Sequence, residues 1–266
     1  MDFLEAIVLG IVQGIAEWIP ISSEGLTTLI AVNLLKGSTL NELITVSLYL
    51  HLGTFFAALI YFRKDVVYLT KQLFQYKKSD PETKNLINFY VVATLISGCL
   101  GLLILKGITG LESLIALSQG AILITLGIFL VFTGLFQVWR KYEGERDSTD
   151  LKLSDGIIVG IAQGLAVVPG LSRSGLTVSA LLLRKFKDTQ ALKLSFILSL
   201  PIVLIGNIVL NTSRFIFTWG SFIGLLMSFV FGLITIHFLL RLSERFQFGW
   251  FVFLFGVLVM ASVFIY

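Results

Sequence analysis

Long apolar runs alternate with short polar breaks along this chain. Six runs have the length of membrane spans, at roughly 41–62, 87–107, 114–138, 189–211, 219–240 and 248–266. About 20 apolar helical residues cross a hydrocarbon core of roughly 30 Å. Two further apolar stretches are interrupted at their centres. Residues 3–36 contain Gln13, Glu17, Pro20, Ser22, Ser23 and Glu24; residues 153–184 contain Gln163, Pro169, Gly170, Ser172, Arg173 and Ser174. Each predicts two short helices joined by a polar break. Pro20 and Pro169 disfavour the helical conformation in the residue before them, so the first helix of each pair ends there.

The two interrupted stretches are copies of one another. "IVLGIVQGIAEWIPISSEGLT" (7–27) aligns without gaps to "IIVGIAQGLAVVPGLSRSGLT" (157–177), with ten of 21 positions identical at an offset of 150 residues. A tandem duplication follows, with repeats 1–138 and 151–266 inside a single membrane domain, 1–266. A hairpin that enters and leaves on one side adds no net crossing. Three spans per half then invert the second half relative to the first. The expected fold is therefore an all-α integral membrane protein with an inverted-topology repeat. Each half is a re-entrant broken-helix hairpin plus three transmembrane helices.

Charge orients this plan. On one face, the loops at 63–86, 139–154, 184–188 and 241–247 carry fifteen Lys and Arg; the other face carries three, Lys36, Lys106 and Arg214. The positive-inside rule assigns the first face to the cytoplasm and both termini to the outside of a multi-pass cell-membrane protein. Within the longest loop, "DVVYLTKQLFQY" predicts an interfacial amphipathic helix. Trp18, Trp139, Trp219 and Trp250 fall near span ends or hairpin tips, where interfacial anchors sit.

Composition agrees with the pattern. The chain is 56% hydrophobic and 14% charged, with mean hydropathy +0.92, against roughly 25% charged residues in soluble domains. The opening "MDFLEAI" has acids where a signal peptide has basic residues, so the first helix is expected in the mature protein. Cys99 is the single cysteine and forms no intrachain disulfide. The sequence has no zinc-type His/Cys cluster, Walker loop or dinucleotide fingerprint. The net charge of +4 does not point to nucleic acid.

Chemistry concentrates in the two breaks. A charge at membrane depth costs at least about 2.5–3.5 kcal/mol, so Arg173 needs a partner or a ligand. Its guanidinium fork suits carboxylate or phosphate oxygens. Ser172, Ser174, Gly175 and Thr177 open the following half-helix, an arrangement that cradles anions. Ser22, Ser23, Glu24 and Gly25 form the matching break in the first copy. An anionic ligand gripped between the breaks is one reading; Arg173 simply paired with Glu17 is the other. Glu17 is a base, a metal ligand or that partner. Gln13 and Gln163 occupy equivalent positions, as interhelical hydrogen bonds or, more for Gln13, as substrate contacts. His51 reads first as a histidine hydrogen-bonded within the helix bundle, and His237 as a packing residue.

At these residues the chain resembles the undecaprenyl-diphosphate phosphatase family of the bacitracin-resistance type. "QGIAEWIPISSEG" and "PGLSRSGLT" are similar to its two signature motifs, and "LHLGTFFAALIYFRKD" and "SFILSLPIVLIG" extend the likeness along the chain. The resemblance implies removal of the terminal phosphate from a long polyprenyl diphosphate at the outer face, with a divalent cation, Mg²⁺ or Ca²⁺. It implies catalytic roles for Glu17, Ser23 (nucleophile, with a water as its rival) and Arg173 (phosphate binding). Gln13, Ser22, Glu24, Gly25, Ser172, Ser174, Gly175 and Thr177 would line the substrate site, and Glu17 with Glu24 would hold the cation. The chain departs from the family pattern twice: Gln13 stands at the first motif acid and Leu26 at the motif histidine.

Two functions follow. The first is a hydrolase acting on an undecaprenyl- or dolichyl-type diphosphate, which recycles a lipid carrier. The second is a non-hydrolytic transporter or binder of a polyprenyl phosphate or other anion. Both place the protein in the bilayer with a lipid partner and no nucleic acid; a homodimer is one option for its assembly.

Overall fold

The computed structural model describes residues 2–20, 23–34, 40–109, 144–168, 171–211, 218–244 and 248–262, with isolated positions between 124 and 138. The elements among the described residues are helices. The first interrupted stretch forms α1 (Phe3–Ala16) and α2 (Ser23–Leu34), and the second forms α6 (Leu153–Leu165) and α7 (Arg173–Leu183). Between them lie α3 (Leu40–Tyr61), α4 (Arg63–Phe74) and α5 (Pro81–Thr109). After them come α8 (Asp188–Asn211), α9 (Trp219–Ser243) and α10 (Phe248–Ser262). The expected span at 114–138 lies almost wholly outside the described residues.

Local chemistry sets the helix ends. The acids of the opening segment form a capping box: Asp2 accepts from the Glu5 N–H at 2.9 Å, and Glu5 accepts from the Asp2 N–H at 2.6 Å. Such a cap is worth roughly 1 kcal/mol. Pro81 starts α5 where a missing N–H costs nothing. Asp80 caps it, accepting from the Thr83 N–H at 2.9 Å, and that bond holds the Asp80 carboxyl below its usual range. Ser172 caps α7, accepting from the Gly175 N–H at 3.1 Å.

Among the described residues, three helices are long and apolar enough to cross a membrane: Pro81–Gly107, Asp188–Val209 and Trp219–Ser243. Thr45–Tyr61 with Arg63–Phe74 makes a fourth candidate, bent by 81°. The bend turns α4 away from α3, and α4 exposes Val67, Leu73 and Phe74 beside Arg63, Lys64 and Lys71. Leu95, Leu102 and Leu103 of α5, Leu204, Ile205 and Val209 of α8, and Ile234 and Phe238 of α9 are also exposed. Water would not tolerate so much outward apolar surface; lipid does. The chain is a multi-pass helical membrane protein.

Small residues decide how the half-helices pack. A methyl on Gly10 would sit 2.3 Å from the Gly224 carbonyl oxygen, and one on Gly14 would sit 2.8 Å from that of Ser228. These glycines let α1 lie directly on α9. Correspondingly, a methyl on Gly160 would lie 2.9 Å from the Ala93 Cα, and one on Gly164 2.9 Å from the Leu100 Cβ. So α6 lies on α5. Each of these two short helices thus packs on a long helix from the other half of the chain. Trp18 departs from its expected interfacial place. It is 1% exposed and packs on Phe196 with ring centroids 4.8 Å apart. Trp219 and Trp250 are exposed.

A buried carboxylate fastens the start of α6. Asp155 is fully buried and accepts from Arg146 Nη1 and Nη2 at 3.1 and 2.6 Å. Arg184 Nε adds a bond at 2.7 Å, and Arg146 stacks 4.2 Å over the Phe186 ring. Loops 144–150 and 184–188 are joined through one acid. Asp155→Asn leaves two guanidinium groups short of a counter-charge. It should destabilise the protein by about 1.5–3 kcal/mol, read as earlier thermal unfolding in detergent micelles.

Candidate active site

The two breaks meet. Ser174 Oγ donates to the Ile19 carbonyl at 2.9 Å, and a methyl on Gly175 would lie 3.3 Å from Pro20 Cβ. The turn at 17–20 and the start of α7 therefore form one seam, across 155 residues of chain. Glu17 lies at its centre, 4% exposed.

Every oxygen of Glu17 is engaged. Oε1 accepts from Arg173 Nη2. Oε2 accepts from Gln13 Nε2 and from Ser23 Oγ, each at 2.9 Å, and lies 3.2 Å from His51 Nε2. Gln13 cannot be turned over, because that would set its amide oxygen against the acceptor-only carboxylate; its Oε1 lies 3.0 Å from Thr27 Oγ1. The Thr27 hydroxyl also reaches the Ser23 carbonyl at 2.6 Å. His51 Nδ1 meets the Ser47 carbonyl at 2.7 Å. One carboxylate thus gathers a guanidinium, an amide, a hydroxyl and an imidazole. Surrounding donors of this kind offset the cost of removing a charge from water.

A cavity of about 160 Å³ opens beside Glu17. Ser23, His51, Ser172, Arg173 and Ser174 complete its polar wall. Leu48, Ala166, Leu171, Ile202, Val203 and Gly206 make its other side apolar, with Asn207 beside them. Arg173 has spent one nitrogen on Glu17; its Nη1 is buried with no hydrogen-bond partner among the described residues. A phosphate oxygen supplies such a partner.

The other expected residues divide. The Gly175 N–H is spent on Ser172 Oγ. Thr177 faces α8 rather than the cavity, meeting Ser195 Oγ at 2.6 Å. Gln163 donates to Ser97 Oγ of α5 at 2.9 Å, the interhelical use expected of it. His237 pairs with the Tyr61 hydroxyl at 3.1 Å. Ser22 lies outside the described residues, as do the side chain of Glu24 and the surroundings of Gly25. His51 is the residue that sequence reasoning left out of the site. The signal was there, in a lone ionisable side chain inside an apolar span.

Of the two acids expected to hold a divalent cation, only Glu17 has its side chain among the described residues. Cations of this type need several open oxygen ligands, and both oxygens of Glu17 already accept hydrogen bonds. Among the described residues no group of three or more His, Cys, Asp or Glu is arranged to hold a metal.

Fold and site together define a class: a multi-pass helical membrane protein with a carboxylate–guanidinium site at two joined helix breaks. Comparison with known proteins narrows the class. The profile described as bacitracin resistance protein BacA matches residues 6–260, and the chain belongs to that family. An undecaprenyl-diphosphatase of Methanococcoides burtonii is 40% identical over 274 residues, covering 100% of both chains. One of Methanothrix thermoacetophila is 35% identical, covering 98% of this chain and 97% of its own. A third, of Saccharolobus islandicus, is 40% identical over 207 residues, 77% of this chain and 72% of its own.

Proposed function

We propose that this protein removes the terminal phosphate from a long-chain polyprenyl diphosphate, of undecaprenyl or dolichyl type, at the outer face of the membrane, and so recycles a lipid carrier. The observation that carries this reading is the Ser23 hydroxyl bonded to Glu17 in a cavity that also presents an unsatisfied arginine nitrogen. The names of the three relatives point the same way. The cavity suits an amphiphile, with charge and hydroxyls on one side and apolar side chains on the other.

In this reading Arg173 Nη1 receives the terminal phosphate, beside the Ser172 and Ser174 side chains that line the cavity. Ser23 Oγ attacks its phosphorus, and the Ser23 proton passes to Glu17 Oε2. The bond from phosphorus to the bridging oxygen breaks, and the lipid monophosphate leaves as an anion. Water then cleaves the phosphoserine. As the bond from phosphorus to Ser23 Oγ breaks, the proton held on Glu17 returns to Ser23, and both water protons stay on the released phosphate. Arg173 stabilises the charge that develops on the phosphoryl oxygens. His51 and Gln13 hold the carboxylate in place.

The deciding assay is phosphate release from a long-chain polyprenyl diphosphate by the purified protein, with a chelator and with Mg²⁺ or Ca²⁺ restored. Release supports the hydrolase and reads the role of the cation. Tight lipid-phosphate binding without release would assign the chain to anion transport or binding instead.

The inverted repeat and its orientation belong to the same proposal. The exchanged packing of α1 on α9 and α6 on α5 supports it, as does the charge asymmetry of the loops. Single cysteines at Glu82 and Ser213, in a chain lacking Cys99, test it in intact cells. The Ser213 site should react with a membrane-impermeant thiol reagent and the Glu82 site should not; the reverse pattern overturns the orientation.

The lipid tail is expected to leave past Gly206. A methyl there would meet nothing within 4 Å, and the neighbouring Ile205 and Val209 face outward. Gly206→Phe should raise KM for long-chain substrates about tenfold and leave a short, water-soluble prenyl diphosphate unaffected. Comparing KM across chain lengths checks this.

A further inference from the structure

One polar side chain in the cavity wall is unused by the chemistry above. Asn207 of α8 is 7% exposed and shares the cavity lining with Ser23 and Arg173. Its Nδ2 donates to the Val203 carbonyl at 3.2 Å, one turn earlier. Its Oδ1 is buried and accepts from no donor among the described residues. Exchanging the amide ends would set oxygen against oxygen, so the acceptor is the end left over. Orphaned buried acceptors are costly and call for an explanation.

The character of the site limits what can satisfy Oδ1. Fully ionised phosphate oxygens are themselves acceptors and repel it. A guest must bring a proton or a positive charge. The hydrolysis consumes one such guest in every turnover, namely water. We infer that Asn207 is a positioning residue that orients the hydrolytic water toward the phosphoryl group. This rests on the hydrolase reading and adds to it where the water stands.

The step balances simply. The water oxygen bonds to phosphorus as the bond from phosphorus to Ser23 Oγ breaks. The water proton held by Asn207 remains on the phosphate as its hydroxyl. The other stays there too, and the proton that Glu17 took from Ser23 returns to Ser23 Oγ. The amide gains and loses no proton; it fixes direction, as positioned groups do in other hydrolytic phosphoryl transfers.

Methanol competition tests the inference on the purified full-length protein, with a long-chain polyprenyl diphosphate as substrate. Methanol captures the phosphoryl group as methyl phosphate, and water releases it as inorganic phosphate. Asn207→Ala and the similarly sized Asn207→Leu should lower kcat for phosphate release about 10–100-fold with KM unchanged. The ratio of methyl phosphate to phosphate should rise, and Asn207→Ser, which keeps an acceptor, should recover part of both. The ratio does not depend on how much protein is folded, so a merely structural role leaves it unmoved. Unchanged kcat and ratio overturn the inference. So does a lower kcat with an unchanged ratio, or a shifted cation requirement with an unchanged ratio. A wild type that releases no phosphate overturns the hydrolase reading itself; a wild type that turns over alongside an equally active Asn207→Ala removes only the role of Asn207.

Discussion

Arg173→Lys should lower phosphate release about 10²–10³-fold, the range seen when one donor to a developing oxyanion is lost. Lysine keeps the charge and can still face Glu17. It lacks the second nitrogen, and that nitrogen is what the cavity leaves free. In the wild type Nη2 is bound to Glu17 and Nη1 has no partner among the described residues. A single ammonium cannot serve the carboxylate and a phosphate with the same rigid geometry. Lysine is a better probe than alanine here. Arg173→Ala would strand a buried carboxylate, and a loss of folding would then resemble a loss of catalysis. The measurement is kcat/KM for a long-chain diphosphate, beside a thermal transition in the same detergent. Arg63→Lys, on the exposed start of α4, serves as the control. Unimpaired turnover in Arg173→Lys would make the Glu17–Arg173 pair a structural tie and nothing more.

Glu17→Gln should cost about 10²–10⁴ in kcat, the usual size of a lost general base. Size and shape are kept, while the charge and one acceptor oxygen are lost. In the wild type Gln13, Ser23 and Arg173 all donate to this carboxylate, with the His51 imidazole also against it. A glutamine offers a single acceptor oxygen and turns its own N–H₂ toward one of these donors. Ser23 then has nothing to take its proton. Single-turnover kinetics should show the fall in the chemical step, with substrate binding largely kept. Robust turnover in Glu17→Gln would remove Glu17 as the base and turn attention to Glu24 and His51.

Much of this site is legible in the chain. The paired breaks are visible because polar residues and prolines interrupt runs that are otherwise uniformly apolar, and because the interruption occurs twice. Glu17 and Arg173 stand out because a charge is expensive at membrane depth, and Ser23 through the family resemblance of its motif. His51 and Asn207 also break apolar helices, yet nothing in their local sequence says what they face. Thr177 shows the opposite case. It belongs to the motif by position, but it turns toward Ser195 of α8. The buried clasp on Asp155 is equally silent, because Arg146 and Arg184 look like ordinary loop charges.

Sequence alone determined the membrane class, the likeness of the two interrupted stretches, the two breaks and the charged residues costly enough to demand a purpose. These follow from solvation, which acts on each residue where it stands. Tertiary structure alone decided that the breaks touch, that Glu17 serves Gln13, Ser23, His51 and Arg173 together, and that Asn207 borders the same cavity. A helix that is apolar all round carries no mark of which side meets lipid and which meets protein. That choice falls to glycines such as Gly10, Gly14 and Gly160, which let particular helices approach. Only their packing brings together groups as distant in sequence as Glu17 and Arg173.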